Sequence, residues 1–234
     1  MNREEFEKSI RAEYGIIKLL ADKNDCKTLL VNNKKFDKKA VLKLLANRAP
    51  LYEFLSSVSF ANLPMIYGTV PLDDGFAVME EYIDGVTVAD VIEGGLYTYR
   101  GAKSVISDIC DALSVIHDAG FVHRDIKPEN IMISNEGRVV LIDFNVSRTV
   151  KEGKKKDTVV AGTIGYMSPE QYGVGQSDPR ADVYSVGVLF NVMLTGCHPS
   201  EKLAKERAGR IVEKCCHIDP EKRYKSADEL KSAL

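Results

Sequence analysis

The 234-residue chain lacks an excess of either charge: 32 lysines and arginines face 34 aspartates and glutamates, a net charge of −2. A dedicated nucleic-acid binder usually carries a clear basic excess, so nucleic acid is set aside as a partner. Long apolar runs are missing as well. The longest, Val186 to Leu194, is short and interrupted by Asn191, so no bilayer span and no membrane partner are expected. The N-terminal MNREEFEKSI is charged and has no signal-peptide core. Cysteines are few and odd in number. Cys26, Cys110, Cys197, Cys215 and Cys216 are irregularly spaced and suit reduced thiols in a cytoplasmic protein better than a disulfide framework. No repeat or low-complexity stretch appears. The rest is ordinary globular composition, 44% hydrophobic and 28% charged, long enough for one large domain or two small lobes.

Patterning changes along the chain. Residues 28–45 (TLLVNNKKFDKKAVLKLL) read as two extended runs joined by a polar turn, and 76–83 (FAVMEEYI) as another strand closed by Asp84-Gly85. From Ala102 onward, Val105, Ile106, Ile109, Cys110, Leu113 and Ile116 recur at helical spacing, with Gly120 as the stop. IMIS and RVVLID flank the turn Asn135-Glu136-Gly137, a lysine-rich loop covers 146–160, and helical patterns return in 181–195 and the final segment. A strand-rich third before a helical remainder predicts an α+β fold of two lobes, 1–82 and 83–234, with a cleft near 82–86.

The most informative stretch is His123-Arg124-Asp125-Ile126-Lys127-Pro128-Glu129-Asn130, a loop at a helix–strand junction. It offers a carboxylate, an ammonium and a carboxamide within six positions. Asp143 follows at the end of an apolar strand. Phosphoryl transfer needs such groups: a carboxylate to orient a hydroxyl, cations to neutralise charge, and oxygen ligands for Mg²⁺.

Here the sequence resembles the eukaryotic-like (Hanks-type) Ser/Thr protein kinases. HRDIKPEN matches their catalytic loop, and Asp143-Phe144-Asn145 stands where Asp-Phe-Gly is usual. Ser168-Pro169-Glu170, inside GTIGYMSPEQ, stands for Ala-Pro-Glu. Ala40-Val41-Leu42-Lys43, Asp182-Val183-Tyr184-Ser185-Val186-Gly187 and Asp219-Pro220 with Arg223 match further motifs in order, over nearly the whole chain. The resemblance implies a bilobal kinase fold with a β-rich N-lobe and a mostly helical, shortened C-lobe. It implies Asp125 as catalytic base, Lys127 steadying the γ-phosphoryl group, and Asn130 and Asp143 holding Mg²⁺ or Mn²⁺. Lys43 would bind the α/β phosphates of ATP, with Val41, Glu81, Ile83 and Met132 around the nucleotide. Lys127 follows the Ser/Thr rather than the tyrosine pattern. Leu55, Ile66, His123, Phe144 and Asp182 match the regulatory spine, and Glu170 with Arg223 a buried ion pair. Arg124 is the pocket for a phosphorylated activation loop, with Thr158 or Ser147 as phosphosite, whereas Thr163 hydrogen-bonds the catalytic loop. A dimer for trans-autophosphorylation fits this pattern.

The family pattern fails in places. Ala21, Lys23 and Cys26 stand where three phosphate-loop glycines belong, so their Cβ atoms hold the backbone off the phosphates. Ala21 and Lys23 stay in the ATP-binding set, Lys23 as a charge substitute or a solvated turn residue. Leu51, not a glutamate, falls where the partner of Lys43 belongs. Glu53, roughly 200° further around an ideal helix, serves only if the helix after Pro50 is irregular. Asn145 in place of glycine is expected to stiffen the turn after Asp143. The segment from Gly196 to Cys215 is short, and nothing follows the last helix; a pared-down catalytic domain with no appended sensor is expected. A zinc site at Cys197, His198, Cys215, Cys216 and His217 lacks a CxxC pair. The run Lys151–Lys156 reads as a solvated loop.

The leading expectation is a Ser/Thr protein kinase using MgATP on an unidentified protein substrate. Its rivals are a pseudokinase acting as a nucleotide-binding or interaction module, favoured by the lost glycines and missing glutamate, and a small-molecule kinase on a related fold.

Overall fold

A computed structural model of the chain describes residues 1–23, 26–150, 162–173 and 177–234. The chain divides into two compact units, one made of Met1–Phe60 and Pro64–Ile83, the other of Ala61–Leu63 and Asp84–Leu234.

The first unit begins with helix α1 (Arg3–Glu13), which the sequence reading did not anticipate. Its amphipathic signal is one buried aromatic, Phe6, on an otherwise charged segment. Asn2 caps it by accepting a hydrogen bond from the Glu4 N–H. Five antiparallel strands follow: β1 (Tyr14–Lys23), β2 (Cys26–Asn33), β3 (Lys38–Leu45), β4 (Ile66–Leu72) and β5 (Gly75–Glu81), in the order β1-β2-β3-β5-β4. Between β3 and β4 lies the six-residue helix α2 (Pro50–Leu55).

Alternation on β3 sorts the sheet's two faces. Ala40, Leu42 and Leu44 pack with Phe6, Leu29, Val31, Leu72 and Ala77 beneath α1. Val41, Lys43 and Leu45 point to the opposite face. On that face Lys43 sits between its ladder partners Thr28 and Val78, and Thr28 in turn faces Ala21. The two strands expected within 28–45 and the strand at 76–83 are thus β2, β3 and β5.

The second unit contains β6 (Gly85–Thr87), α3 (Val88–Gly94), α4 (Tyr99–Asp118), β7 (Phe121–Val122), β8 (Ile131–Ser134), β9 (Val139–Leu141), β10 (Arg148–Thr149), α5 (Pro179–Thr195), α6 (Glu206–Cys215) and α7 (Ala227–Ala233). Strands β6, β8 and β9 form one small antiparallel sheet, and β7 pairs with β10. Asn62 explains why Ala61–Leu63 belongs here: its carbonyl accepts from the Leu141 N–H, and its amide donates to the Val139 carbonyl. Helix α4 buries the apolar stripe read from the sequence, from Val105 to Ile116.

Helix α5 is buried almost all round and starts at an Asp178 cap followed by Pro179. Gly187 lets α6 approach it, since a Cβ there would lie 2.3 Å from Cys215 Cβ. Asn191, which interrupts the longest apolar run, is fully buried and ties down the short segment after α5. Its amide donates to the carbonyls of Cys197 and Lys202 at 2.9 and 2.8 Å, and its oxygen accepts from the Ala204 N–H at 2.8 Å. A polar residue in a core helix is stable when its groups are satisfied in this way. Among the described residues no helix is long and apolar enough to cross a membrane.

Candidate active site

The loop after β7 is built around one buried carboxylate. Asp182, on the first turn of α5, accepts from the backbone N–H groups of Arg124 and His123, both at 2.8 Å, and from His117 Nε2 at 2.7 Å. Burial pushes this carboxyl up, but the hydrogen bond from His117 and the neighbouring donors outweigh it, so it stays ionised below the usual range. His123 is fully buried, and burial holds its imidazole below the usual value against the pull of Asp182, Asp125 and Asp143. Its Nδ1 accepts from the Asp125 N–H, so its Nε2 carries the proton and donates to the Ile142 carbonyl. The ring also meets Phe144 edge-on at 5.2 Å. The second-unit members of the spine therefore touch one another; Leu55 and Ile66 are buried in the first unit.

This scaffold places Asp125 among donors. Thr163 Oγ1 donates to Asp125 Oδ1 at 2.6 Å and accepts from Lys127 Nζ at 2.7 Å. Lys127 Nζ also lies 2.9 Å from Asp125 Oδ2. Asn130 sends its amide to the Asp125 carbonyl and to Oδ2, at 2.8 and 2.9 Å. Gly162 lets the segment holding Thr163 pass close to the loop, since a Cβ there would lie 2.7 Å from the Arg124 carbonyl. Burial raises the Asp125 carboxyl, yet the hydrogen bonds from Thr163 and Lys127 prevail and hold it below the ordinary carboxylate range.

That balance has a testable consequence. Ionised Asp125 stabilises the fold above its unfolded pKa, and the contribution disappears as pH falls through the lower folded value. Thr163→Val removes the strongest lowering contact, so the Asp125 pKa rises. The acid limb of a pH–rate profile is expected to move to higher pH while the alkaline limb stays. An unmoved acid limb would separate Thr163 from the ionisation of Asp125.

Asp143 and Arg124 have left-handed backbones, with φ of 67° and 73°. Such conformations are costly for residues with a Cβ and cluster at functional sites. Asn145 is not among the residues of positive φ. Position 145 therefore has no left-handed backbone that would call for a glycine; the left-handed residue of this turn is Asp143 itself. Asn130 spends its amide hydrogens on Asp125, so its side-chain carbonyl oxygen is the atom that would face a metal. With the Asp143 carboxylate it makes a set of hard oxygen donors, which suits Mg²⁺ shared with phosphate oxygens.

The remaining positions divide between the units. Met132 is half-buried on β8, and Arg124 is buried behind Asp125 with its carbonyl accepting from Gln171 Nε2 at 2.8 Å. In the first unit, Val41 and Lys43 share one face of β3, Ala21 and Lys23 lie in the last residues of β1 opposite Thr28 and Cys26, and Glu81 and Ile83 lie at and just beyond the end of β5. Thr158 and Lys151–Lys156 lie outside the described residues. Ser147 donates its hydroxyl to the Phe144 carbonyl at 2.6 Å.

Two corrections concern the partner of Lys43. Glu53 does not serve: it takes two hydrogen bonds from the exposed Arg48, at 2.8 and 2.7 Å. Nor is Lys43 left to solvent. It pairs with Glu80 on β5 at 2.9 Å and donates to Tyr52 Oη at 2.8 Å. Sequence reading missed Glu80 because it looked for the partner on a helix. The available signal was alternation on β5, where Phe76, Val78 and Glu80 share a face.

Known proteins resemble this chain over part of its length. It is 46% identical over 126 residues to the serine/threonine-protein kinase PknL of Mycobacterium tuberculosis, covering 53% of this chain and 31% of that protein. It is 41% identical over 126 residues to PknB of the same species, also named a serine/threonine-protein kinase, covering 52% of this chain and 20% of that protein. The aligned region thus spans a third or less of these relatives' own length. The protein kinase domain family matches residues 11–232. With that match running almost end to end, the chain belongs to the protein kinase domain family.

Proposed function

We propose that this domain is a Ser/Thr protein kinase that transfers the γ-phosphoryl group of MgATP to a serine or threonine hydroxyl of a protein. The observation that carries the reading is the closed set of contacts among Asp125, Lys127, Thr163 and Asn130. Asp125 accepts and orients the proton of the acceptor hydroxyl, because Thr163 and Lys127 hold its carboxylate ionised and Asn130 helps fix it in place. Lys127, 2.9 Å from that carboxylate, places a positive charge beside the site of transfer. Asn130 and Asp143 supply oxygen donors to the metal, and Lys43 of the first unit binds phosphate oxygens. ATP supplies the phosphoryl group, and Mg²⁺ when bound neutralises its developing charge. Arg124 and Thr158 belong to the same proposal as a phosphate-binding arginine and an activation-loop phosphosite.

The acceptor class is supported by Lys127 and by the names of the relatives. A cytoplasmic setting is part of the proposal, supported by the five cysteines carried as thiols. The test is incubation with labelled ATP, Mg²⁺ or Mn²⁺ and a generic protein acceptor, beside an Asp125→Asn control. Label on the domain or the acceptor that vanishes in the control is the expected result. Binding of ATP without transfer under any metal would make the domain a pseudokinase. Label only on small-molecule acceptors would make it a small-molecule kinase.

A further inference from the structure

The pair between Lys43 and Glu80 is buried, with the two side chains only 6% and 5% exposed. Strand register explains how they meet. In the β3–β5 ladder Val41 faces Glu80 and Lys43 faces Val78, so Lys43 and Glu80 are diagonal neighbours on one face, a separation that long side chains span. Tyr52 on α2 adds a neutral contact, its hydroxyl accepting from Lys43 Nζ and its ring centroid 5.3 Å away. The helix offers no carboxylate in this arrangement: Leu51 is fully buried and Glu53 is tied to Arg48.

We propose that Glu80 is the positioning residue for Lys43, a strand-borne carboxylate that takes over from a helix-borne one and aims the lysine at nucleotide phosphates. This rests on the kinase reading above. A buried ammonium is costly unless an opposite charge lies beside it, and the Glu80 carboxylate 2.9 Å away supplies that charge. A carboxylate on a helix moves away when the helix moves. One on β5 is joined to the lysine's own strand by a continuous antiparallel ladder from Ala40–Glu81 to Leu45–Phe76, so the pair holds unless the sheet opens. Helix α2 contributes the neutral Tyr52 hydroxyl. The charge that Glu80 brings to Lys43 is therefore built into the sheet, and a shift of α2 does not withdraw it.

The experiment is calorimetric titration of the whole chain with MgATP, together with the KM for ATP. The proteins compared are the unaltered chain, Glu80→Gln, Glu80→Asp, Lys43→Met and the double variant Lys43→Met/Glu80→Gln. Glu80→Gln is expected to weaken ATP binding about tenfold, the scale of one hydrogen bond to a charged group, and to raise the KM for ATP without changing that for the acceptor. Glu80→Asp, which keeps the charge, falls between Glu80→Gln and the unaltered chain. In the Lys43→Met background Glu80→Gln changes ATP affinity no further, since its effect passes through the lysine. Unchanged affinity in Glu80→Gln, or an equal loss in both backgrounds, overturns the proposal. If thermal unfolding shows Glu80→Gln not to fold, Glu80→Asp decides, and wild-type affinity in that variant overturns it. Affinity is read without turnover. Unaltered protein that binds MgATP but transfers nothing defeats the kinase activity alone, whereas protein that binds no ATP defeats both readings.

Discussion

Asp125→Asn is expected to lower turnover by roughly 10²–10⁴-fold, the usual contribution of general acid–base catalysis, while ATP affinity stays nearly intact. Asparagine keeps the size of the side chain, so contacts with Thr163, Lys127 and Asn130 survive in altered form. What it loses is the ability to take a proton, and nothing in the proposed nucleotide contacts of Lys43, Asn130 and Asp143 depends on that. Lys43→Met gives the complementary result, with ATP affinity and rate falling together because a phosphate contact is gone. Transfer rates and nucleotide titration on both variants separate the two roles. Full turnover in Asp125→Asn would remove that carboxylate from the chemistry.

The largest expected stability effect lies away from the chemistry. Arg223 donates to both oxygens of Glu170, at 2.6 and 2.9 Å, and to the carbonyls of His217, Arg180 and Ile218 at 2.7, 3.1 and 3.2 Å. It stacks over Tyr184, 5.0 Å from the ring centroid, and its side chain is fully buried. Arg223→Met should lower unfolding stability by about 3–5 kcal/mol, because it strands the Glu170 carboxylate in the interior. Glu170→Gln added to Arg223→Met should recover part of that loss, though not the part due to the three carbonyls left without a donor. Urea unfolding of the two single variants and the double gives this cycle. A loss below 1 kcal/mol in Arg223→Met would show that water reaches the pair.

Where a site lay on one short segment, its chemistry was open to reading along the chain. His123 to Asn130 carries a carboxylate, an ammonium and a carboxamide in a single loop, and the structure gathers Asp125, Lys127 and Asn130 within hydrogen-bonding distance. The α4 stripe was equally legible, since a helix that buries one face must repeat apolar residues at helical spacing. Helix α1 was harder. It buries Phe6 alone on a charged segment, too weak a periodic signal to mark a helix. Asn191 read as a flaw in an apolar run, because the carbonyls that satisfy it lie on a loop whose path the sequence does not reveal.

By itself the sequence determined the family, the strand-rich first part and helical second part, and which residues gather in the loop after β7. Each of these is written in contiguous residues or in local periodicity, and local sterics and burial translate such patterns directly into structure. Only the tertiary structure decided which anion holds Lys43. That choice depends on the register of β3 against β5 and on where a six-residue helix directs Tyr52 and Glu53. Shifting a strand by one residue reverses the face of every side chain on it. The pairing of Lys43 with Glu80 is therefore a property of the assembled sheet, set by packing on both faces at once and absent from either strand read alone.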